Sequence, residues 1–356
     1  MTYLELLNQI NQANSIEEFA KINKLKIISS NDGRHIINYD KNMCNTPDTY
    51  IAHYCRGLTL AGDKGNYYPV AKPFNRFFNL EELENNTEPT QYLNKYDKFD
   101  LFKPYQIFKK YDGSIIIMYW YDNKIRINTR GGFGQSELST SNGKSWEQSV
   151  LDCIDSQSLA HYKEQLQKGV TLLFEYCSPN NQVVERYEKA QLIQLGAIVT
   201  ATGEELELPK GIHYPKMELE KLNPTEEGYV LTQWDKSQNI YLRAKVKQAS
   251  YLKLAYQLDK VFNTRAKKWE NIIFKNEESE VGSYFPNMKK ELDEMALIYK
   301  NLLRVVPAQV KEFGHLQGGD LALAVKDIEW KFIFFSLRKF SSVTEAIQSY
   351  ILKNKM

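Results

Sequence analysis

The sequence predicts an α+β fold up to about Leu254, followed by a small all-α C-terminal domain. In the first part, short apolar runs of strand length alternate with turn signals. From about residue 255 onward, strand patterns stop and apolar residues recur at helical spacing. A chain of 356 residues is long enough for two cores. We therefore expect two domains, residues 1–254 and residues 255–356.

The first domain is predicted to begin with two helices. Residues 2–13 have amphipathic helical spacing, and Ser15-Ile16-Glu17-Glu18 has the capping-box pattern that starts another helix. Asn31-Asp32-Gly33 lies between two strand-like runs and predicts a hairpin. The remaining predicted elements are a helix at 145–154 and strands at 55–60, 115–120, 124–129, 170–176, 192–199, 228–233 and 240–246.

The second domain is predicted to be helical throughout. The range 288–306 places apolar residues on one helical face, namely Leu292, Met295, Tyr299, Leu303 and Val306. Ser342-Val343-Thr344-Glu345 caps a final helix. The acidic run Glu277, Glu278 and Glu280 is interpreted either as a solvated face or as ligands of a further metal ion.

Composition excludes several classes of protein. Lys and Arg total 46 against 44 Asp and Glu, so a globally basic nucleic-acid binder is not expected, and any such contact must use a local basic surface. The four cysteines form no CxxC pair, which predicts neither a zinc ribbon nor a disulfide framework. No apolar run is long enough to cross a bilayer, and no signal-peptide pattern opens the chain. We expect a cytoplasmic protein that does not bind membranes.

The stretch Lys110-Tyr111-Asp112-Gly113-Ser114 is the strongest candidate for chemistry. It directly precedes the run 115–120, whose two faces are both apolar, as in a strand buried on both sides. Gly113 is expected to take backbone angles closed to other residues, giving a sharp turn. Lys110 would then lie at the mouth of a rigid sheet, although a surface lysine beside a tight turn is the alternative.

A nucleophilic lysine needs a neutral amine, whereas free lysine has a pKa of about 10.4. Burial and nearby positive charge both lower that pKa. Lys245-Val246-Lys247 supplies such charge, because its two lysines fall on the same face of a strand. The same pattern is also typical of a solvated strand face, and periodicity does not decide between the two.

Two acidic positions accompany these lysines. Glu175 interrupts the apolar run 172–176, and Glu227 directly precedes the apolar strand at 228–233. Acids suit a hard cation and lysines suit phosphates, so the set indicates a nucleotide-phosphate site. No P-loop or GxGxxG opens a helix, which disfavours ordinary kinase and dinucleotide-binding folds.

Taken together, these segments resemble the covalent nucleotidyltransferases and, within them, the phage-type RNA ligase 1 family. The resemblance covers about residues 30–255. Its core motifs, in order, are Lys110–Gly113, Phe174–Tyr176, Glu227–Val230 and Lys245–Lys247. Two upstream segments resemble those that separate these RNA ligases from DNA ligases and capping enzymes, namely Cys55–Gly57 and Arg76–Leu80.

The resemblance implies a fold and a reaction. The fold would be that of a nucleotidyltransferase, with ATP-grasp-like antiparallel sheets and flanking helices, followed by the small all-α domain. The chain would be an ATP-dependent RNA ligase that uses Mg²⁺, with Mn²⁺ as an alternative. Lys110 would form a lysyl-adenylate, the AMP would pass to the 5′-phosphate of RNA, and a 3′-hydroxyl end would attack to seal the strand.

The resemblance also implies roles for individual residues. The catalytic set would be Lys110, Asp112, Lys245 and Lys247. The nucleotide would be bound by Tyr39, Arg56, Arg76, Phe78, Gly113, Arg130, Glu175, Glu227, Lys245 and Lys247. Glu175 and Glu227 would coordinate the metal or bind the ribose. This chain has Arg76 where the family is expected to have lysine. The difference keeps the positive charge but replaces a compact ammonium donor by a planar, forked guanidinium.

Partners follow from the same resemblance. The helical domain would select RNA, and cleaved tRNA is the hypothesis for the natural substrate. A separate end-healing kinase-phosphatase would prepare the ends, and the protein would act as a monomer, in the host cytoplasm if a phage encodes it.

Two alternative functions stay open. One is a DNA ligase or capping-type nucleotidyltransferase. A DNA ligase usually adds an OB-fold after its last motif, whereas helical patterns follow Lys247 here. The other is a non-catalytic RNA-binding protein with a decayed domain, against which the intact Lys110, Glu175 and Glu227 argue.

Overall fold

The structure is a computed structural model of the 356-residue chain. The residues that it describes lie in the following ranges: 2–39, 50–63, 65–80, 99, 103–134, 143–181, 184–207, 226–248, 250–252, 264–284 and 286–354. The chain forms two compact units, residues 1–255 and residues 256–356.

The first unit opens with two helices and a four-stranded antiparallel sheet. The helices are α1 (Tyr3–Gln12) and α2 (Ile16–Ile22), and a short helix α3 (Tyr50–Tyr54) precedes the third strand. The strands lie side by side in chain order: β1 (Leu25–Ser29), β2 (Arg34–Tyr39), β3 (Arg56–Ala61) and β4 (Tyr68–Ala71). The hydroxyl groups of Thr2 and Ser15 cap the two helices; the sequence pattern predicts the cap at Ser15, and the cap at Thr2 is seen only in the structure.

A second sheet has the order β11-β10-β7-β8-β9. Its strands are β7 (Ser114–Tyr121), β8 (Lys124–Thr129), β9 (Gly132–Phe133), β10 (Val170–Cys177) and β11 (Gln191–Val199), and the helices α4 (Trp146–Leu151) and α5 (Ser156–Gln167) lie between β9 and β10 in the chain. Asp122 and Asn123 both have positive φ, as a tight hairpin between β7 and β8 requires.

The third sheet has the order β5-β13-β12-β6. Its strands are β5 (Phe78–Asn79), β6 (Gln106–Lys110), β12 (Gly228–Asp235) and β13 (Ile240–Lys247). All neighbours are antiparallel except β5, which pairs parallel with β13. One end of this sheet therefore brings together the carboxyl end of β6, the start of β12 and the end of β13.

The two faces of the second sheet have different partners. One face carries Ile116, Met118 and Phe174, which pack against side chains of α4 and α5. The other carries Ile117 and Leu173, which pack against β4 and the segment that follows it. Because side chains alternate along a strand, Glu175 shares the second face with Leu173. The sequence pattern of a strand buried on both sides is thus confirmed.

The second unit is helical in its described residues. Its helices are α6 (Arg265–Lys268), α7 (Glu278–Tyr284), α8 (Pro286–Phe313), α9 (Gly318–Ala324), α10 (Phe332–Ser336) and α11 (Val343–Lys353), and a π-helical turn covers Trp269–Ile273. Helix α8 extends beyond its predicted range and continues through Pro307. None of the helices in the described ranges combines the length and the hydropathy that a bilayer crossing requires.

The acidic run at the start of the second unit is not simply a solvated face. Glu278 is buried and accepts a hydrogen bond from Lys300 at 2.8 Å. Among the described residues, no three Asp, Glu, His or Cys side chains cluster as a metal site would require.

These observations confirm the predicted fold class. Antiparallel sheets with flanking helices are followed by a helical C-terminal region. The predicted hairpin around residues 31–33 is present as the pair β1 and β2.

A buried ion pair joins the second and third sheets. Arg243 on β13 contacts Glu205, which follows β11, through two hydrogen bonds of 2.7 Å and 2.5 Å. Both side chains are less than a tenth exposed, and the guanidinium carbon also lies 4.1 Å from the ring centroid of Phe74. Removing one partner of such a pair leaves an uncompensated buried charge, which is strongly destabilising.

We expect Glu205→Gln to lower the free energy of unfolding by about 3–5 kcal/mol, because Arg243 would keep its charge without a carboxylate. Urea denaturation measures this difference. The matched control is Glu164→Gln, which breaks the exposed pair between Glu164 and Lys168 and should leave the free energy unchanged. Equal losses in the two variants would contradict the importance of the buried pair.

Candidate functional site

The register of the third sheet brings Lys110 and Lys247 to the same place. Gly228 pairs with Lys110 on one side and with Lys247 on the other. Gly228 has φ +138°, and a side chain there would collide with the carbonyl oxygen of Val246. The position therefore requires glycine, and without a side chain between them the two lysines can reach the same neighbour.

That neighbour is Glu227, the residue before β12. The Nζ atom of Lys110 lies 2.5 Å from Oε2 of Glu227, and the Nζ atom of Lys247 lies 3.7 Å from Oε1. Glu227 is buried, whereas the Lys110 side chain is 21% exposed. The Glu227 carboxylate thus pairs with two cations, while the Lys110 side chain keeps access to solvent.

Glu175 lies close enough to interact electrostatically with these groups. Burial raises the pKa of its carboxyl to about 7, and the charge of Glu227 adds to the rise, while Lys110, Arg56 and the backbone N–H of Gly113 oppose the shift. Two carboxylates in one site disfavour simultaneous ionisation. The structure therefore contains a carboxyl group that changes charge near neutral pH or on arrival of a cation.

Gly113 is required for a reason that differs from the prediction. Its φ is not among the positive values, so the expectation of unusual backbone angles is wrong. Instead, an added Cβ would overlap the carbonyl oxygen of Tyr176 and lie 2.9 Å from Sγ of Cys177. The glycine lets the turn after Lys110 approach β10, the strand that carries Glu175.

Asp112 is buried and holds the same turn from within. Its Oδ1 accepts a hydrogen bond from the hydroxyl of Tyr251 at 2.8 Å. Its Oδ2 accepts the backbone N–H groups of Val184 and Glu185, both at 2.7 Å. These contacts assign Asp112 to positioning within the protein, and its predicted catalytic role stays a prediction.

A second group of predicted residues surrounds the ring of Tyr39 at the end of β2. The guanidinium carbon of Arg76 lies 4.8 Å from the ring centroid and that of Arg130 lies 5.8 Å from it. The Arg56 side chain forms a hydrogen bond with the Tyr39 side chain. Three predicted nucleotide-binding arginines thus converge on one aromatic side chain.

Phe77 connects this group to the lysine pair. Its ring centroid lies 5.7 Å from the guanidinium carbon of Arg56 and 5.6 Å from Nζ of Lys245. The neighbouring Phe78 pairs with Ala244 through its backbone, and its side chain lies outside the described residues. The motif resemblance implies Phe78 for the nucleotide pocket and overlooks Phe77, whose only signal in the sequence is its place in the same motif.

The surroundings of Arg56 disfavour its positive charge. Burial lowers the pKa of Arg56 and the positive charge of Arg130 contributes, whereas Tyr39 and Glu175 act in the opposite direction. A cluster of partly desolvated cations gains free energy when an anion binds. The site is therefore suited to phosphate groups, for which the arginine fork provides paired donors.

Glu175 and Glu227 are the residues that fit a divalent cation. Together they supply at most two carboxylates, which matches Mg²⁺ sites that take their remaining oxygens from phosphates and water. Glu227 already contacts two lysines, so Glu175 is the more available ligand. No complete protein-only metal cluster is present in the part of the chain that the structure describes.

A groove of about 650 Å³ lies elsewhere in the first unit. Its lining includes Tyr68, Trp120 and Tyr121, at the end of β7 opposite the Lys110 turn. None of the predicted site residues lines it.

Comparison with known proteins supports the motif-based resemblance. The sequence profile of the RNA ligase family matches residues 54–219. This range includes Lys110 and Glu175 and ends before Glu227. The resemblance to the phage-type RNA ligase 1 family is confirmed.

Individual proteins of known sequence or structure are also similar to this chain. A protein of Thermovibrio ammonificans, provisionally named an RNA ligase, is 25% identical over 300 residues, which cover 78% of this chain and 74% of that protein. A protein of Autographa californica nuclear polyhedrosis virus, provisionally named a bifunctional polynucleotide kinase/RNA ligase, is 26% identical over 288 residues. That match covers 75% of this chain and 40% of the viral protein. An archaeal ATP-dependent RNA ligase of known structure superposes with a TM-score of 0.47 and 13% identity, covering 99% of each chain.

The raised pKa of Glu175 predicts a pH dependence of stability. Folding favours the protonated carboxyl, so its contribution is full below pH 4.5 and is lost as pH rises to about 7. Without divalent cations, wild type should therefore lose stability relative to Glu175→Gln between about pH 5 and about pH 8, as denaturation at each pH would show. Glu188→Gln, on an exposed residue, is the control. A constant difference between wild type and Glu175→Gln would contradict the shift.

Proposed function

We propose that this chain is an ATP-dependent RNA ligase of the phage-type RNA ligase 1 family, a proposal that its sequence similarity supports, and that it seals RNA through a lysyl-adenylate on Lys110. The observation that carries the proposal is the contact of Lys110 with Glu227, which Lys247 also contacts. Arg56, Arg76 and Arg130 gather around Tyr39 and provide charge for a triphosphate.

In the first step, Nζ of Lys110 attacks the α-phosphorus of ATP. A phosphorus–nitrogen bond forms, the bond to the bridging oxygen of the β-phosphate breaks, and pyrophosphate leaves. Lys110 must first lose a proton, and the carboxylate of Glu227 at 2.5 Å is close enough to accept it. Lys245, Lys247 and the arginines balance the charge that develops on the phosphate oxygens.

Glu175 and Glu227 would hold Mg²⁺, or Mn²⁺ in its place. The bound cation would neutralise phosphate charge and favour the neutral amine of Lys110. Its arrival would also favour the ionised carboxyl of Glu175, whose pKa of about 7 leaves it only partly ionised near neutral pH. The protein's own contribution to this charge balance is the pairing of its two acids with two lysines around the turn that follows β6.

The two later steps use the same charged surface. The 5′-phosphate of an RNA strand attacks the adenylate phosphorus, which releases Lys110 and leaves AMP joined to the RNA through a pyrophosphate link. A 3′-hydroxyl then attacks the 5′-phosphorus, and AMP departs with the bonding electron pair. Both steps require in-line placement and charge neutralisation more than strong acids or bases.

Transfer of label from α-labelled ATP to the protein tests the first step. We expect wild type to become labelled with Mg²⁺ present, and Lys110→Ala and Lys110→Arg to lose labelling by at least about a thousandfold, since neither variant retains the nucleophile. Denaturing electrophoresis measures covalent label. Lys124→Ala, at an exposed lysine in the same unit, is the matched control.

The comparison nucleotide is α-labelled GTP. Labelling from GTP alone would move the protein to the capping class of nucleotidyltransferases. Equal labelling of wild type and Lys110→Ala would contradict the assignment of the nucleophile. A folded, unadenylylated wild type that accepts label from neither nucleotide would leave a non-catalytic binding module.

We also propose that the helical unit, residues 256–356, selects cleaved tRNA with 5′-phosphate and 3′-hydroxyl ends. The proposal rests on the family resemblance, because a helical region follows the last motif where a DNA ligase usually has an OB-fold. The viral relative is named for a kinase as well as a ligase. That name supports a separate end-healing enzyme acting before this chain, which we expect to work as a monomer.

Truncation after Leu254 tests the role of the helical unit. We expect the truncated chain to keep self-adenylylation and to lose its preference for cleaved tRNA over a single-stranded RNA by about tenfold or more, equivalent to at least about 1.4 kcal/mol of discrimination. Competition between the two RNA substrates measures the preference. An unchanged preference in a folded truncated chain would contradict the proposal.

A further inference from the structure

We propose that Val184–Tyr187 is a clasp that positions the catalytic turn, with Glu185 and Tyr187 as its positioning residues. Neither belongs to the motifs on which the family resemblance was based. The segment lies between β10 and β11 in the chain, and it contacts the turn Lys110–Gly113 through Asp112. The inference deepens the proposed function and rests on Lys110 as the nucleophile.

Backbone contacts form the first part of the clasp. Oδ2 of Asp112 accepts the N–H groups of Val184 and Glu185, each at 2.7 Å. Two charge-assisted hydrogen bonds to one carboxylate oxygen fix the position of the segment relative to the turn. Asp112 is buried, so these bonds are shielded from competing water.

Tyr187 forms the second part. Its hydroxyl oxygen accepts the backbone N–H of Asp112 at 3.2 Å. The same hydroxyl forms a hydrogen bond with the buried Cys177, whose Sγ would be crowded by any side chain at Gly113. Burial is the leading cause that raises the pKa of the Tyr187 hydroxyl, so it stays protonated. The hydroxyl thus links the turn to the end of β10.

Glu185 forms the third part through the neighbour of the nucleophile. Its Oε1 lies 2.8 Å from Nζ of Lys109, which also lies 3.2 Å from Oε1 of Glu226. All three side chains are less than a fifth exposed. Lys109 therefore connects the clasp to Glu226, the residue immediately before the partner of Lys110.

These contacts make the position of Lys110 depend on the clasp. The turn between the end of β6 at Lys110 and the start of β7 at Ser114 is very short, so a shift of the turn moves the lysine directly. In-line attack on phosphorus is sensitive to such shifts, and a misplacement of about 1 Å can cost about a hundredfold in rate. Neither Glu185 nor Tyr187 is among the residues placed around the nucleotide.

The test is single-turnover self-adenylylation of Tyr187→Phe and Glu185→Gln with α-labelled ATP and Mg²⁺. Tyr187→Phe keeps the ring and removes only the hydroxyl, and Glu185→Gln keeps the shape and removes the charge. We expect each to lower the rate constant at saturating ATP by about 10- to 100-fold, while the half-saturating ATP concentration changes by less than about threefold. Glu188→Gln, exposed just after the clasp, should match wild type in both quantities.

Circular dichroism at the assay temperature gives the folded fraction against which each rate is scaled. A rate constant equal to that of wild type per folded molecule, in both variants, would overturn the proposal. So would a raised half-saturating ATP concentration with an unchanged rate constant, because it would place the residues in nucleotide binding. If wild type itself accepts no label, the proposed function fails instead, and that result is distinct from either outcome above.

Discussion

The salt bridge between Lys110 and Glu227 is the interaction on which the rest of the site depends. It joins the end of β6 to the residue before β12, and Lys247 reaches the same carboxylate from the end of β13. Gly228 makes this possible because it occupies the position between the two lysines without a side chain. The candidate nucleophile, its candidate proton acceptor and a second cation are thus held together by the register of one sheet.

Buried groups with unfavourable charges determine which ligands this site favours. Burial lowers the pKa of Arg56 and raises that of Glu175, so both depart from their ordinary values in the sense that opposes charge. A triphosphate would relieve the repulsion among the arginines, and a divalent cation would relieve that between the two acids. The site is therefore suited to bind the two components together, and pKa values shifted in this way are typical of functional sites.

Predictions from the sequence are most accurate where the chemistry of a residue and the local sequence pattern indicate the same role. The strand after Gly113 has two apolar faces, and it is buried on both; Glu175 interrupts an apolar run, and it interacts with Lys110. Contacts between distant segments are not predictable from local pattern. The clasp at Glu185 and Tyr187 has no periodic signal, because it depends on how a loop passes over the sheets.

The two glycines of the site illustrate the same limit. Gly113 is singled out correctly by the sequence, but for a backbone angle instead of its approach to β10. Gly228 is part of a motif, yet its positive φ and its place between two lysines appear only once the strands are paired. Local pattern identifies which residues matter, and the pairing of distant strands decides what each of them does.

Peptide mapping of the adenylylated protein by mass spectrometry tests the central claim most directly. Wild type incubated with ATP and Mg²⁺ would be digested under conditions that preserve the phosphorus–nitrogen bond, and the modified residue would be located by fragmentation. The account predicts AMP on Lys110, with the adjacent Lys109 unmodified because Glu185 and Glu226 hold it as an ion pair. AMP on Lys109, Lys245 or Lys247 would contradict it, as would a protein that turns over ATP without any lysine-linked AMP.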